Sequence, residues 1–158
     1  RETGTENGSS FTGAGPAFGM AQLGLVIAQY DKHGAVIDEM TTSARAAAAE
    51  RDATVVAEVT VPGAYDAPLA ADRLARRDDV EAVAVLGVIV TGDTDHDQVI
   101  ADAAASALTG VSLDRDTPVT LGILGPGMST AEAEARTHKG GEAVHSALDL
   151  VEDLPRHP

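Results

Sequence analysis

The stretch that decides the fold is residues 81–97, EAVAVLGVIVTGDTDHD. Its first ten residues are almost entirely apolar, which predicts a strand over residues 81–90 that is buried on both faces of a sheet. The apolar run stops at Thr91-Gly92, and an alanine-rich helical pattern begins near Asp95. A buried strand that leads through a short turn into a helix is the repeating unit of parallel α/β proteins.

The same strand–helix unit recurs on both sides of this stretch. Apolar runs predict further strands over residues 23–28, 53–61 and 118–124. Apolar residues at helical spacing predict helices over about 35–51, 67–77, 95–110, 129–137 and 141–153. We expect the third helix to end at Gly110, and Lys139-Gly140-Gly141 to separate the last two. This strict alternation predicts an α/β fold: a three-layer α/β/α sandwich with a four-stranded parallel sheet, of the flavodoxin-like class.

Residues 1–19 differ from this pattern, because they are rich in Gly, Ser and Thr and show no hydrophobic period. We interpret them as a flexible N-terminal tail, and as an added leader in front of a single folded domain over residues 20–158. The alternative is an extension that docks on a neighbouring subunit.

The charge balance limits the class of partner. The chain has 11 Lys+Arg against 25 Asp+Glu, a formal net charge of −14, and no Cys. This excess of acidic residues argues against nucleic acid or an anionic membrane as a partner, since both attract basic surfaces. Neither a membrane span nor a signal peptide is recognisable, so we expect a cytoplasmic protein. Only two of its cations are lysines, which suits a halophilic protein; the alternative is an ordinary acidic bacterial protein.

The residues that carry chemistry follow the predicted strands, where ligands of parallel α/β proteins gather. Tyr30 and Tyr65 both lie at strand ends in a chain without Trp, which favours a planar ligand over simple packing. Gly92 and Thr94 lie at a helix start, where free backbone N–H groups favour an anion. The alternative is that Asp93 or Thr94 simply caps the helix.

His96 falls in the first turn of that helix, where it is placed to exchange protons with a ligand at the strand ends. The alternative is a surface histidine beside acidic residues. Asp93, Asp95 and Asp97 resemble the opening of a calcium loop, but the later positions of such a loop lack its Gly and Glu. An acid–base role is therefore favoured over a metal site.

Two of the few cations, Arg136 and Lys139, lie close together near the C-terminus. A phosphate or carboxylate ligand would explain them, whereas the alternative for Arg136 is an interaction with its own helix C-terminus. The remaining histidines have no partner pattern and are expected on the surface: His33, His138, His145 and His157. The chain has no Gly-x-Ser-x-Gly motif and no thiol, so covalent Ser or Cys catalysis has no support.

Five segments occur in one order: AQYD, PGAYDAPLAA, LGVIVTGDTDHD, PVTLGIL and RTHKGGEA. Together they resemble the 6,7-dimethyl-8-ribityllumazine synthase family, in its archaeal, halophilic form. The resemblance implies an enzyme of riboflavin biosynthesis that joins 5-amino-6-(D-ribitylamino)uracil to 3,4-dihydroxy-2-butanone 4-phosphate, with release of phosphate and water. It implies no metal or organic cofactor. It also implies a homo-oligomer, either a pentamer or a 60-subunit icosahedral shell, with active sites between subunits.

The resemblance further implies roles for particular residues. Tyr30 stacks on the pyrimidine ring, and the wall beside the ring is lined by Val88, Ile89 and Val90. Leu121 stands where many relatives place a Phe against the ring. The ribityl chain is held by Gly63, Ala64, Tyr65 and Asp66. The butanone phosphate is bound by Gly92, Asp93 and Thr94, and by Arg136 and Lys139 of a neighbouring subunit. His96 transfers protons.

Two other functions stay open. An archaeal-type riboflavin synthase has a similar fold and dismutates two lumazines, but its substrate carries no phosphate, whereas the turn at Gly92 and Arg136 favour a phosphate-bearing substrate. A non-catalytic flavin-binding or shell protein is the second alternative, and the presence of His96 argues against it.

Overall fold

The computed structural model describes residues 21–30, 33–92 and 94–156. Its four strands are β1 (Gln22–Ala28), β2 (Thr54–Val61), β3 (Ala82–Val90) and β4 (Val119–Met128). Its helices are α1 (Gly34–Glu50), α2 (Ala67–Ala75), α3 (His96–Arg115), α4 (Thr130–Glu134) and α5 (Lys139–Asp153), with a 3₁₀ turn (Ala64–Asp66) before α2. The strands form one parallel sheet in the order β2-β1-β3-β4. The predicted α/β fold with a four-stranded parallel sheet is confirmed.

The central strands are buried on both faces, as their apolar sequences predict. Residues 82–89 of β3 are all buried, and so are residues 23–28 of β1. Their side chains alternate between two clusters: Leu25 and Ile27 pack on the layer of α1 and α5, whereas Val26 packs on the layer of α2 and α3. The sheet is therefore the middle layer of three.

The layer of α1 and α5 is closely packed. A Cβ atom on Gly140 would lie 2.1 Å from the carbonyl oxygen of Met40, so the backbones of the two helices are in contact. At the other end of this contact between α1 and α5, Arg51 donates hydrogen bonds to Asp149 and Glu152, each 2.8 Å long. Backbone contact and ion pairs between α1 and α5 therefore close this layer within a single chain.

The layer of α2 and α3 is less complete. A cavity of about 150 Å³ lies between α3 and β4, lined in part by Ile89, Ala101 and Leu121. Leu121 is 46% exposed, and Val99 on α3 is 61% exposed. This side of the sheet therefore presents apolar surface that the described residues leave uncovered.

The predicted end of the third helix at Gly110 is wrong, because α3 continues to Arg115. The helix ends where Asp116 adopts a left-handed φ of 52°. A glycine inside a helix costs about 1 kcal/mol relative to alanine. Burial of the next residue, Val111, offsets that cost.

The C-terminal third also differs from the prediction. Gly140 and Gly141 lie inside α5 rather than between two helices, because their lack of side chains permits the close packing on α1. α4 is shorter than predicted, and Ser129 caps it by accepting a 3.1 Å hydrogen bond from the Glu132 N–H. β4 runs four residues beyond the predicted end, to Met128.

The tail predicted for residues 1–19 lies outside the described residues. Within the described ranges, we find no helix that combines the length and the apolar character needed to cross a bilayer.

Candidate active site

The strand order creates a crevice at the carboxyl ends of β1 and β3. From β1 the chain crosses to one side to form β2, and then back to the other side to form β3. Ligands of open α/β sheets bind where the crossovers change direction in this way. Tyr30 follows β1, and His96 begins the helix after β3, so both flank this point.

Tyr30 is 50% exposed at the rim of the crevice, and its neighbour His33 lies deeper than the sequence predicts. His33 is expected on the surface, but only 8% of it is exposed. The His33 N–H donates a 2.9 Å hydrogen bond to the Tyr30 carbonyl, and the two ring centroids are 6.0 Å apart. Packing against Tyr30 at the start of α1 explains this burial. His33 Nδ1 has no hydrogen-bond partner among the described residues.

The other histidines are more accessible. His138 is exposed and lies 3.1 Å from a Glu142 carboxylate oxygen. His145 is half-buried on α5, and its carbonyl accepts a hydrogen bond from Arg51. His157 lies outside the described residues.

The segment after β2 brings the second tyrosine to the same edge of the sheet. Its 3₁₀ turn is closed by a 3.0 Å hydrogen bond from the Asp66 N–H to the Gly63 carbonyl, and it lies against α3 and β3. Ala64 anchors the turn in the core, whereas Tyr65 is 66% exposed and Asp66 is also exposed. The predicted ribityl segment thus presents its polar groups to solvent.

The three apolar residues at the end of β3 do not form the one wall of a pocket that the resemblance implies. Val88 packs in the cluster under α1 and α5, whereas Ile89 packs under α2 and α3. Adjacent strand residues point to opposite faces, so the two side chains cannot line one surface together. Val90 is half-buried at the end of the strand.

The turn into α3 offers backbone groups to an anion. Gly92 is exposed, and the space around its Cα is open. Asp95 holds the N-cap position without a side-chain capping bond, and Thr94 Oγ1 accepts a 3.2 Å hydrogen bond from the His96 N–H. Helix N-termini favour anions, so this exposed turn is suited to a phosphate with His96 beside it. Asp93 lies outside the described residues.

Leu121 is remote from this edge within one chain. It is paired in register with Val85, five residues before the end of β3 at Val90. At about 3.3 Å per residue, that places it about 16 Å below the strand ends.

Arg136 and Lys139 lie beyond β4, on the side of α4 and α5. Arg136 is exposed, and its Nη1 donates a 2.8 Å hydrogen bond to the Glu132 carbonyl in the last turn of α4. Lys139 begins α5 and is half-buried. Among the described residues, no hydrogen bond or ion pair connects either cation with Tyr30 or His96. Within one chain, Arg136 therefore contacts the C-terminal end of its own helix, which is the alternative predicted for it.

Several arginines elsewhere are neutralised by carboxylates. Arg45 donates hydrogen bonds of 2.9 and 2.6 Å to Glu58, and these hold the pKa of that carboxyl below its usual value, against the opposing effect of partial burial. Arg115 does the same for the pKa of Asp72. Arg136 contrasts with them, since within the described residues it has no carboxylate at ion-pair distance.

The family model described as 6,7-dimethyl-8-ribityllumazine synthase matches residues 20–154. The chain belongs to this family. A 6,7-dimethyl-8-ribityllumazine synthase of Halorubrum lacusprofundi is 63% identical over 135 residues, which is 85% of this chain and 99% of the relative. Those of Halobacterium salinarum and Methanocaldococcus jannaschii are 61% and 38% identical over the same share of this chain, and the match covers 100% and 94% of their lengths. The predicted family and its enzyme class are confirmed.

In this member of the lumazine synthase family, the sequence does not reveal the burial of two polar residues at the site, Asp97 and His33. Asp97 is grouped by its sequence with exposed acids, yet only 8% of it is exposed. The signal that could have found it is helical spacing, because Asp97, Ala101, Ala104 and Leu108 recur on one face. No comparable signal exists for His33, which precedes the periodic part of α1.

Proposed function

We propose that the protein condenses 5-amino-6-(D-ribitylamino)uracil with 3,4-dihydroxy-2-butanone 4-phosphate to give 6,7-dimethyl-8-ribityllumazine, phosphate and water. The observation that carries this proposal is that Tyr30 follows β1 while the open turn at Gly92 and His96 follow the neighbouring strand β3, on the two sides of the switch point where the crossovers change direction. An aromatic ring, an anion site and a proton carrier are what this pair of substrates requires.

Each part of the crevice has a role in the proposed mechanism. Tyr30 stacks on the pyrimidine while the segment Gly63–Asp66 binds its ribityl chain. The exposed turn before α3 binds the phosphate of the butanone. The pyrimidine amino group attacks the butanone carbonyl and forms an imine, and His96 shuttles protons in this step and in the later elimination of phosphate. Holding two substrates in line supplies much of the acceleration.

We further propose that a second copy of the chain completes each site, in a pentamer or a 60-subunit shell. Leu121 is half exposed beside an open cavity, and Arg136 is bonded only to a carbonyl among the described residues, so both are free to act on a neighbour. Arg136 and Lys139 of that neighbour would then bind the departing phosphate. A charge of −14 suits such an enzyme to concentrated salt in the cytoplasm, where screening weakens self-repulsion.

Turnover of the two substrates, followed by the absorbance and fluorescence of the lumazine, tests the reaction. We expect lumazine from the pair and no riboflavin from lumazine alone. Riboflavin from lumazine alone would establish the riboflavin synthase alternative instead. Flavin binding without turnover would establish the non-catalytic one.

Mixing two variants tests the shared site. His96→Ala lowers kcat about 100-fold but leaves residual activity, because proton transfer is one contribution beside positioning. Arg136→Ala raises the KM for the butanone phosphate about 10-fold or more through loss of a charged hydrogen bond. Co-assembled at equal amounts, the two restore about a quarter of the sites if His96 and Arg136 act from different subunits.

Arg73→Ala is the matched control for the arginine variant, since Arg73 is an exposed arginine on α2, away from the strand ends. Its KM for the butanone phosphate should equal that of the wild type. No recovery on mixing the two variants, with each variant correctly assembled, would contradict the shared site.

A further inference from the structure

Asp97 is the one acidic side chain that is buried in the described part of the chain, with 8% exposure. It has no cationic partner within the described ranges. A buried carboxylate without a cation is costly unless hydrogen bonds and dipoles compensate for the lost hydration. Two such groups are present here: Asp97 lies in the first turn of α3, at the positive end of its dipole, and Oδ2 accepts a 3.2 Å hydrogen bond from the Gly127 N–H.

The group that Asp97 binds belongs to the last residues of β4. A Cβ atom on Gly125 would lie 1.9 Å from the carbonyl oxygen of Ile89, so this part of β4 rests directly on the end of β3. Gly125 and Gly127 have φ values of 96° and 73°, which only glycine adopts readily. The hydrogen bond from Gly127 therefore attaches the first turn of α3 to a fixed point on the sheet.

This attachment determines where the neighbouring residue stands. Successive residues of a helix are about 100° apart around its axis, so anchoring Asp97 towards the core sets the direction of His96 at the rim. His96 is itself exposed, and its N–H bonds only to Thr94 of the preceding turn among the described residues. Among the hydrogen bonds of the described residues, the one from the Gly127 N–H to Asp97 is the one that joins this turn to the sheet.

We propose that Asp97 is a positioning residue for the condensation: through the Gly127 N–H it fixes the first turn of α3 and so holds His96 in reach of the reacting atoms. The inference rests on the proposed function, in which His96 carries the protons. Asp97 acts on the chemical step, so substitution of Asp97 should change kcat more than it changes the KM of either substrate.

Two substitutions of Asp97 separate the hydrogen bond from the charge. Asp97→Leu has the same branched outline, with two methyl groups in place of the two carboxylate oxygens, and no acceptor, and its thermal unfolding checks that the variant still folds. We expect its kcat to fall about 10-fold while the KM of each substrate changes less than about threefold. Asp97→Asn keeps an oxygen that accepts from Gly127, and we expect it to retain at least about half of the wild-type kcat.

A double-mutant cycle supplies the readout that a general structural role would not reproduce. If Asp97 acts through His96, Asp97→Leu should change kcat less than about twofold in a His96→Ala background. Asp114→Asn is the control, since it removes the same charge from an exposed position in the last turn of α3. Its kcat should match that of the wild type.

Independent effects of Asp97→Leu and His96→Ala on kcat, or an unchanged kcat for Asp97→Leu, would overturn the inference. A fall in the activity of Asp97→Asn equal to that of Asp97→Leu would also overturn it, because the charge and not the hydrogen bond would then matter. Failure of the wild type to form lumazine from the two substrates is a different result. It would reject the proposed function before any variant is compared.

Discussion

On one face of the sheet α1 and α5 pack so closely that Gly140 rests on the Met40 carbonyl, whereas on the other face α2 and α3 leave a cavity and a half-exposed Leu121. The difference in packing comes from the residues at the two helix contacts. Glycine in α5 permits backbone contact, while the many alanines of α3 are too small to fill the space above β4. Among the described residues, one face of the sheet is closed, and the other keeps a cavity and exposed apolar side chains.

The largest expected effect is at the closed face. Gly140→Ala places a methyl group 2.1 Å from the Met40 oxygen, and relief requires α1 and α5 to separate. We expect the free energy of unfolding to fall by about 3 kcal/mol, which lowers the thermal midpoint by about 10 °C. Calorimetry measures this midpoint, and an unchanged value would show that the contact between α1 and α5 is looser than described.

The open face should respond in function rather than in folding. Leu121→Ala removes a half-exposed side chain, so the midpoint should change little, while the KM for the pyrimidine rises about 10-fold through lost apolar contact. Leu121→Phe should lower that KM about threefold by adding aromatic stacking. Leu154→Ala, an exposed leucine after α5, is the control and should leave the KM unchanged.

Replacing a glycine on α3 by alanine should raise the stability, whereas the same change at Gly140 lowers it. Gly110 lies inside the helix, and a Cβ atom added there would have no atom within 4 Å, so Gly110→Ala meets no obstacle. We expect a gain in stability of about 0.5–1 kcal/mol from reduced chain entropy and better helix propensity. A loss measured by thermal unfolding would mean that the space beside Gly110 is occupied in the assembled protein.

The smallest effect concerns an ion pair on the closed side. The pKa of Glu58 is lowered from 4.5 by hydrogen bonds from Arg45, so its charged form stabilises the fold above that pH, and this stabilisation disappears as the pH falls through the lowered value. Glu58→Gln should cost less than about 1 kcal/mol at pH 7. The difference from wild type should vanish well below pH 4.5 and shrink in high salt.

Glu39→Gln provides the comparison for that pH series, because Glu39 is an exposed acid of α1 that forms no ion pair with another described residue. Its unfolding curve should follow the wild type at each pH. A pH-dependent difference equal to that of Glu58→Gln would assign the effect to net charge rather than to Arg45.

Sequence patterns predict the elements whose burial is continuous. β3 is expected over residues 81–90 and occupies Ala82–Val90, since an uninterrupted apolar run has few other ways to be buried. The start of α5 escapes prediction, because Gly140 and Gly141 favour a break locally and are needed only for a contact with α1 that is distant in sequence. Tertiary packing overrides propensity there.

The same distinction holds for the site. The position of His96 at a helix start is predicted correctly, because strand ends and turns are readable from local sequence. The burial of Asp97 is not, since it depends on the end of β4, 30 residues further along the chain. The burial of His33 is not either, since His33 precedes the periodic part of α1. That Leu121 lies about 16 Å from the strand ends follows from the register with β3, which a single sequence does not encode visibly.

The complete burial of residues 82–89 has a consequence for motion. Amide hydrogens of such a strand exchange with solvent only when the whole domain opens, whereas those of an exposed helix turn exchange through local fraying. The turn that bears His96 is therefore joined to the slowest-exchanging part of the molecule at one end and to solvent at the other. Local opening of that turn therefore requires loss of the Gly127–Asp97 hydrogen bond but no opening of the sheet beneath it.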